Sequence, residues 1–320
     1  MYPALDANFL DVLKHHTAGD PMNQQVRWTN LTLEQISLRL SDRRTPAGVH
    51  VVQRLLKRHG FVRRKAQKKR TMGQHADRNA QFENIARLKQ EYLDAGQPVV
   101  SVDTKKKERL GNFYRDGRLY TRQTIETWDH DFGSAGSGVV IPHGIYDVAR
   151  NCGHINLGTS HDTSEFACAS IARWWREVGR RQHRRATTLL VLCDGGGSNS
   201  ATHYIFKEDL QRLANTLGLE IRVAHYPPYC SKYNPIEHRF FPHVTRACQG
   251  LLLTSTEVTC QAMARTSTKQ GLKTSVQVLP GDYPLKEGYP DEYPKTMKIR
   301  FDEEFPTWNY RAIPGKCDSY

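Results

Sequence analysis

The sequence predicts a mixed α/β core, a sheet flanked by helices, preceded by a small all-α region. Two observations carry this. Up to residue 97 apolar residues recur at helical spacing, whereas from Pro98 onward short β-branched runs alternate with amphipathic stretches. The net charge of +13 over 320 residues is concentrated ahead of that change, with nine Lys/Arg and no Asp/Glu from Arg54 to Arg70. A balance of that sign and concentration favours a polyanionic partner, nucleic acid above all.

In LTLEQISLRL, Leu33, Ile36 and Leu40 fall at offsets of three and four, and Thr32 is placed to cap the helix. After the polar SDRRT, Thr45-Pro46 reads as N-cap and first-turn proline of a second helix that stops at Gly60, with Val52, Leu55 and Leu56 turned inward. Two short helices joined by a polar turn, the second carrying Arg54, Lys57 and Arg58, fit a helix-turn-helix. A helical hairpin with a solvated basic face fits the same pattern. The adjoining RRKAQKKR, with Arg63, Arg64, Lys65, Lys68, Lys69 and Arg70, is a basic arm suited to backbone phosphates. Residues 71–97 read as a connecting helix, with Phe82, Ile85, Leu88 and Tyr92 in register.

Strands are expected at Pro98–Thr104, Thr121–Trp128, Gly138–Val148 and His154–Thr159. Asp162 or Thr163 caps a helix with Phe166, Ala167, Ile171, Trp174, Trp175 and Val178 on one face. TTLLVLC (187–193) is continuously apolar, as in a strand buried on both faces. Helix Tyr204–Leu217, strand Leu219–Ala224 and a helix from Asn234 follow. The tail is rich in Tyr, Pro and acids and stays unassigned, beyond an extended segment on the core. The expected divisions are 1–70, 71–97, 98–279 and 280–320.

Several classes are excluded. No run approaches the roughly 18 apolar residues of a membrane span, and MYPALDANFLDVLKHH lacks the build of a secretory signal. A cytoplasmic protein with no membrane partner is expected. Seven cysteines without a C-x-x-C pair, and 14 histidines without H-E-x-x-H, argue against a zinc site or disulfide framework.

Three acids stand at special positions. Asp103 ends the first core strand, Asp194 ends the most apolar one ahead of Gly195-Gly196-Gly197, and Glu237 lies in the first turn of the helix after the last strand. Strand ends on one edge of such a sheet converge on a crevice. Carboxylates meeting there need a cation, and hard oxygen ligands suit Mg²⁺ or Mn²⁺. Each acid also has a plain reading. Asp103 can be a turn residue before KKKE, GGGSN lacks P-loop spacing, and Glu237 can be the N3 member of a capping box in Asn234-Pro235-Ile236-Glu237. Asp129, Asp131, Asp147 and Asp162 compete on spacing alone. Lys105, Lys106 and Lys107, beside the first acid, can hold a phosphate backbone or be a solvated run.

Beyond these patterns, the chain resembles bacterial insertion-sequence transposases with the Rhodopirellula-type DDE domain, distant relatives of the mariner-like group. The resemblance runs from about residue 18 to 314 on SVDTKKKERLGNF, HDFGSAGSGVVIPHGIYDVARN, HDTSEFACASIARWW, CDGGGSN, PPYCSKYNPIEHRFF and FPTWNYRAIP. It implies a ribonuclease-H-like core with Asp103, Asp194 and Glu237 as the catalytic, metal-binding acids, and two Mg²⁺ or Mn²⁺ ions. It also implies cleavage and strand transfer of an insertion sequence, with terminal inverted repeats and target DNA as partners, a homodimer on DNA, and a nucleoid-associated place in the bacterial cytoplasm. The chain departs in NPIEH, where many relatives have lysine for the proline, in RACQG, and in starting after a further helical unit of the relatives. That last departure motivates a rival, a catalytically inactive relative that only binds DNA. A third reading is a ribonuclease-H-like nuclease without strand transfer.

Overall fold

The computed structural model describes residues 2–14, 16–20, 23–64, 75–196, 204–285 and 297–315. The chain divides into two compact units, 1–70 and 71–320.

The first unit contains α1 (Leu5–Lys14), a hairpin of β1 (Thr17–Asp20) and β2 (Asn23–Thr29), α2 (Leu33–Asp42) and α3 (Val49–Arg58). Phe9, Val12, Leu13, Ile36, Leu40, Val52 and Leu55 form its core. Thr32 caps α2 in a reciprocal box with Gln35. Two expectations are corrected. The unit is not all-α, because a hairpin intervenes. Nor do Thr45 and Pro46 open α3: its N-cap is Gly48, and Thr45 Oγ1 instead donates back to the Leu40 carbonyl at 3.2 Å, closing the end of α2. Past α3, Gly60 adopts φ +79°, a left-handed stop that glycine takes at little cost.

The second unit opens with α4 (Arg78–Asp94), then β3 (Val99–Thr104), β4 (Glu108–Leu110), β5 (Gly138–Asp147) and β6 (Cys152–Gly158). Next come α5 (Ser164–Trp174), a π-helical turn (Trp175–Gly179), α6 (Arg180–Gln182), β7 (Thr188–Cys193), α7 (Tyr204–Leu217) and β8 (Glu220–His225). It ends with α8 (Pro235–Arg239), α9 (Phe241–Ala247), α10 (Thr256–Ala264), β9 (Lys273–Val278), β10 (Ile299–Phe301) and β11 (Asn309–Ala312).

The nine-stranded sheet has the order β10-β11-β8-β7-β3-β5-β6-β9, with β4 on β5. β3, β5 and β6 form an antiparallel meander, and β7 and β8 continue parallel to β3. Numbered from β3, the central order is 3-2-1-4-5 with the second strand reversed, the ribonuclease-H-like arrangement expected above. β7 is the sheet's hydrophobic centre: Leu189 to Cys193 are all buried, and burying each such side chain contributes about 1.5–3 kcal/mol. One face packs against α5 and α7 through Val100, Val102, Ile145, Ile171, Trp174 and Leu210. On the other, α4 covers Val99, Leu190 and Leu192, while α8, α9 and α10 cover Tyr146, Ile155 and Leu157.

Two core expectations change. Thr121–Trp128 is no strand. It lies, nearly all exposed, in the long connection from β4 to β5, where its alternation has no sheet to bury against. The tail supplies two strands, β11 pairing antiparallel with β8 and β10 with β11. Among the described residues, no helix is long and apolar enough to cross a membrane.

Candidate active site

Alternation along β3 sends Val99, Ser101 and Asp103 to the face covered by α4 and α8. Asp103 stands beside the end of β7, where Asp194 follows Cys193. α8 brings Glu237 to the same edge, seated by three hydrogen bonds to β3. Asn234 Nδ2 donates to the Val102 carbonyl at 3.0 Å, Ser101 Oγ donates to Asn234 Oδ1, and the Ile236 N–H donates to Ser101 Oγ at 2.9 Å. Asn234 is therefore the N-cap of α8 by position only, since its side chain makes no cap hydrogen bond and the anticipated capping box is not formed. Its amide is spent on β3, so Glu237 is not needed at the helix start and faces the other two acids.

Close approach is part of this seating. A Cβ at Gly144, the cross-strand partner of Asp103, would come within 2.6 Å of the Phe241 ring and 2.8 Å of Ile236 Cδ1. At Gly153 a Cβ would meet the Phe240 ring at 2.2 Å. Only glycine lets α8 and α9 settle this near the sheet.

The three acids are coupled. Burial, then the negative charges of Asp194 and Glu237, push the Asp103 carboxyl up to about 8, and Glu237 lies within hydrogen-bonding reach of it. Asp194 is also raised, by burial first and then by the Glu237 charge, against a lowering hydrogen bond from the Gly196 N–H. Their oxygens do not close on a common point: among the described residues, no three His, Cys, Asp or Glu side chains form a ready ligand set. Local hydrogen bonds account for part of this, since Asp103 Oδ1 accepts from the Thr104 N–H at 2.7 Å and Asp194 Oδ1 from the Gly196 N–H at 3.4 Å. The donor chemistry nevertheless fits a hard divalent cation. Three half-buried carboxyls repelling one another are what such a charge relieves.

Asp194 is held from behind. Its carbonyl accepts from His225 Nδ1 at 2.9 Å, which fixes the tautomer, so His225 Nε2 accepts from Tyr310 Oη at 2.8 Å. Gln81 on α4 ties the His225 carbonyl to Asn309 on β11.

The remaining candidates separate clearly. Asp147 is buried and bound to His183 at 2.8 Å and to the N–H groups of Ala149 and Arg150, a structural turn. Asp162 accepts from Thr104 Oγ1 at 3.0 Å, while Asp129 and Asp131 are exposed in the β4–β5 connection. Lys105 is buried and paired with Glu108 at 2.5 Å, which removes it from the expected phosphate contacts, whereas Lys106 and Lys107 are exposed. Arg54, Lys57, Arg58, Arg63 and Arg64 are exposed in the first unit. Lys65, Lys68, Lys69 and Arg70 lie outside the described residues. The sequence reading missed Ser101, Gly144, His225 and Tyr310 and misassigned Asn234. A polar residue inside VVSVD and a glycine inside IPHGIYD were the available signals.

The family model described as the Rhodopirellula transposase DDE domain matches residues 8–314, and the chain belongs to that family. Among solved structures it is similar to a Mos1 transposase paired-end complex with the left transposon end. The identity is 14%, over 79% of this chain and 67% of that one, at TM-score 0.43. A mariner Mos1 paired-end complex with Mg gives 14% identity, the same coverages and TM-score 0.44. No curated protein matches the chain.

Proposed function

We propose that this chain is an acidic-triad transposase that cuts and rejoins DNA with Asp103, Asp194 and Glu237. Two Mg²⁺ or Mn²⁺ ions would be held by these three carboxyls. The observation that carries the reading is the seating of Glu237 against Asp103 by Asn234 and Ser101, beside Asp194, in a chain of this family.

The chain's own part follows from that geometry. Burial and the neighbouring charges of Asp194 and Glu237 hold the Asp103 carboxyl up to about 8, a penalty on its ionised form that a divalent cation at this edge would offset. His225 holds the Asp194 backbone so that its carboxyl stays at the edge. Lys106 and Lys107 steady the phosphate backbone near the acids. Arg54, Lys57, Arg58, Arg63 and Arg64 serve the terminal repeats, in a helix-turn-helix of α2 and α3. Divalent ions held by Asp103, Asp194 and Glu237 would supply Lewis-acid activation of a water or a 3′-hydroxyl and charge stabilisation for a leaving 3′-oxygen. Bringing two element ends together calls for a homodimer on DNA, acting in the nucleoid-associated cytoplasm.

The test is cleavage and joining of a labelled duplex bearing the element's end, with Mg²⁺ or Mn²⁺, for the wild type, Asp194→Asn and Glu237→Ala. Cutting and joining in the wild type alone, with duplex binding kept in all three, supports the reading. Cutting retained by Asp194→Asn sinks the site assignment. Cutting without joining points to a nuclease, and binding without cutting to the inactive relative.

A further inference from the structure

Between α5 and β7 the chain reads RWWREVGRRQHRR (173–185), and the structure sorts its arginines into two groups. Arg173 is consumed locally, bonded to Glu177 at 3.0 Å and donating to the Val278 carbonyl at 2.6 Å. Nearby Arg150 donates to the Gln182 carbonyl at 2.6 Å. Arg176, Arg180, Arg181, Arg184 and Arg185 are all exposed, and no ion pair or side-chain hydrogen bond engages them among the described residues. The acids within reach are already committed, Glu177 to Arg173 and Asp147 to His183.

The backbone presents this ridge on a firm base. Trp174, Trp175 and Gly179 fill the inward side of the π-helical turn, and a Cβ at Gly179 would lie 2.6 Å from the Trp175 ring. Beyond it, Gln97 Oε1 accepts from the N–H groups of Thr187 and Thr188, pinning the entry to β7. A π turn inserted in an α-helix often marks a functional place. Here Arg176 lies within it and the other four arginines follow it.

The ordinary explanation is cations at a helix C-terminus, each favoured by about 0.3–1 kcal/mol within the last turn. That covers Arg180 and Arg181. It does not cover five, and Arg176 and Arg180, four residues apart, repel one another. Five exposed guanidinium groups within ten residues, none of them paired with an acid among the described residues, are complementary to a polyanion, and the planar fork matches phosphate oxygens. The ridge stands where β7 begins, whereas Asp194 follows its end. Six strand residues, about 20 Å, therefore separate it from the acids.

We propose that Arg176, Arg180, Arg181, Arg184 and Arg185 form a second, sequence-independent contact to duplex DNA, gripping backbone phosphates away from the scissile bond. This rests on DNA being the partner, as proposed above. The test is binding of a 40-base-pair random duplex by the full chain, with log Kobs followed against log salt between 50 and 200 mM. The comparison is with the five-fold Arg→Gln variant and its Arg→Lys counterpart. Each phosphate contact contributes about 0.9 to the slope. The Gln variant is expected to lose about 3–4.5 from the slope and at least tenfold in affinity at 150 mM, with its melting temperature unchanged. The Lys variant should keep the wild-type slope. A slope in the Gln variant within about 1 of the wild type overturns the proposal while leaving the DNA reading intact. A wild type that binds no duplex fells both.

Discussion

Asn234 and Ser101, 133 residues apart, are bonded side chain to side chain in the buried seam between α8 and β3, and this one contact aligns Glu237 with Asp103. Replacing Asn234 with Ala strips the Val102 carbonyl and Ser101 Oγ of a partner in a dry place. The expected cost is about 1–3 kcal/mol in urea unfolding. Cleavage should fall at least tenfold with duplex affinity kept. A variant as stable and as active as the wild type would show that α8 is held by its apolar side alone.

Gly144 allows the same approach from the neighbouring strand. Gly144→Ala puts a methyl where Ile236 and the Phe241 ring now sit, and overpacking of this kind costs about 1–3 kcal/mol. Because the displaced helix carries Glu237, activity should drop further than stability alone predicts. Gly133→Ala, with open space around the new Cβ, is the control and should change neither.

The acid cluster is bought with stability. Asp103 is held far above the ordinary carboxylate range by burial and by its two acidic neighbours. In a chelator at pH 7.5, Asp103→Asn should therefore be more stable than the wild type by about 1–2 kcal/mol and melt a few degrees higher, while in Mg²⁺ it should not cleave. An unchanged or lower melting temperature would mean that the three carboxyls do not strain the fold.

Three buried histidines make the second unit acid-sensitive. Burial holds His143 down to about 3 and His154 and His225 to about 4. Above pH 6.5 each is neutral whether folded or not, so nothing is lost. As pH falls below 6.5 the unfolded chain takes up protons that the folded chain refuses, and stability declines until the folded values are reached. The decline is up to about 1.4 kcal/mol per pH unit for each histidine. Asp103 and Asp194 run the other way, their raised values favouring the folded state as pH falls. The measurement is therefore urea unfolding at pH 7.0 and 5.0 in the Asp103→Asn, Asp194→Asn background. A loss of several kcal/mol is expected there, and equal stability at the two pH values would contradict it.

Much of this molecule was legible in its sequence, for reasons that differ by element. β7 announces itself because a strand covered on both faces must be apolar throughout, and Thr32 marks α2 because its capping box is closed within four residues. Local strings misled where a distant partner competes. Asn-Pro-Ile-Glu has the composition of a capping box, yet Ser101 takes the asparagine and leaves Glu237 to the site. Thr121–Trp128 alternates like a strand but meets no edge, whereas Asn309–Ala312 has little pattern of its own and becomes a strand because β8 offers it one. Asp103 and Asp194 could be placed at strand ends, and Glu237 in the first turn of a helix, from the sequence. Their mutual coupling could not, since it depends on how deeply β3 is buried and how closely α8 is seated.

The hydrogen bonds joining Gln81 to Asn309 span 228 positions, and Tyr310 reaches His225, behind Asp194, across 85. Contacts so remote form late, after the closure entropy of long loops has been overcome by everything more local. The meander of β3, β5 and β6 can pair while the chain is still being made, but the support behind Asp194 waits for β11. On the function proposed above, this ordering is a safeguard in time: the acid edge is completed only after the rest of the molecule has been assembled.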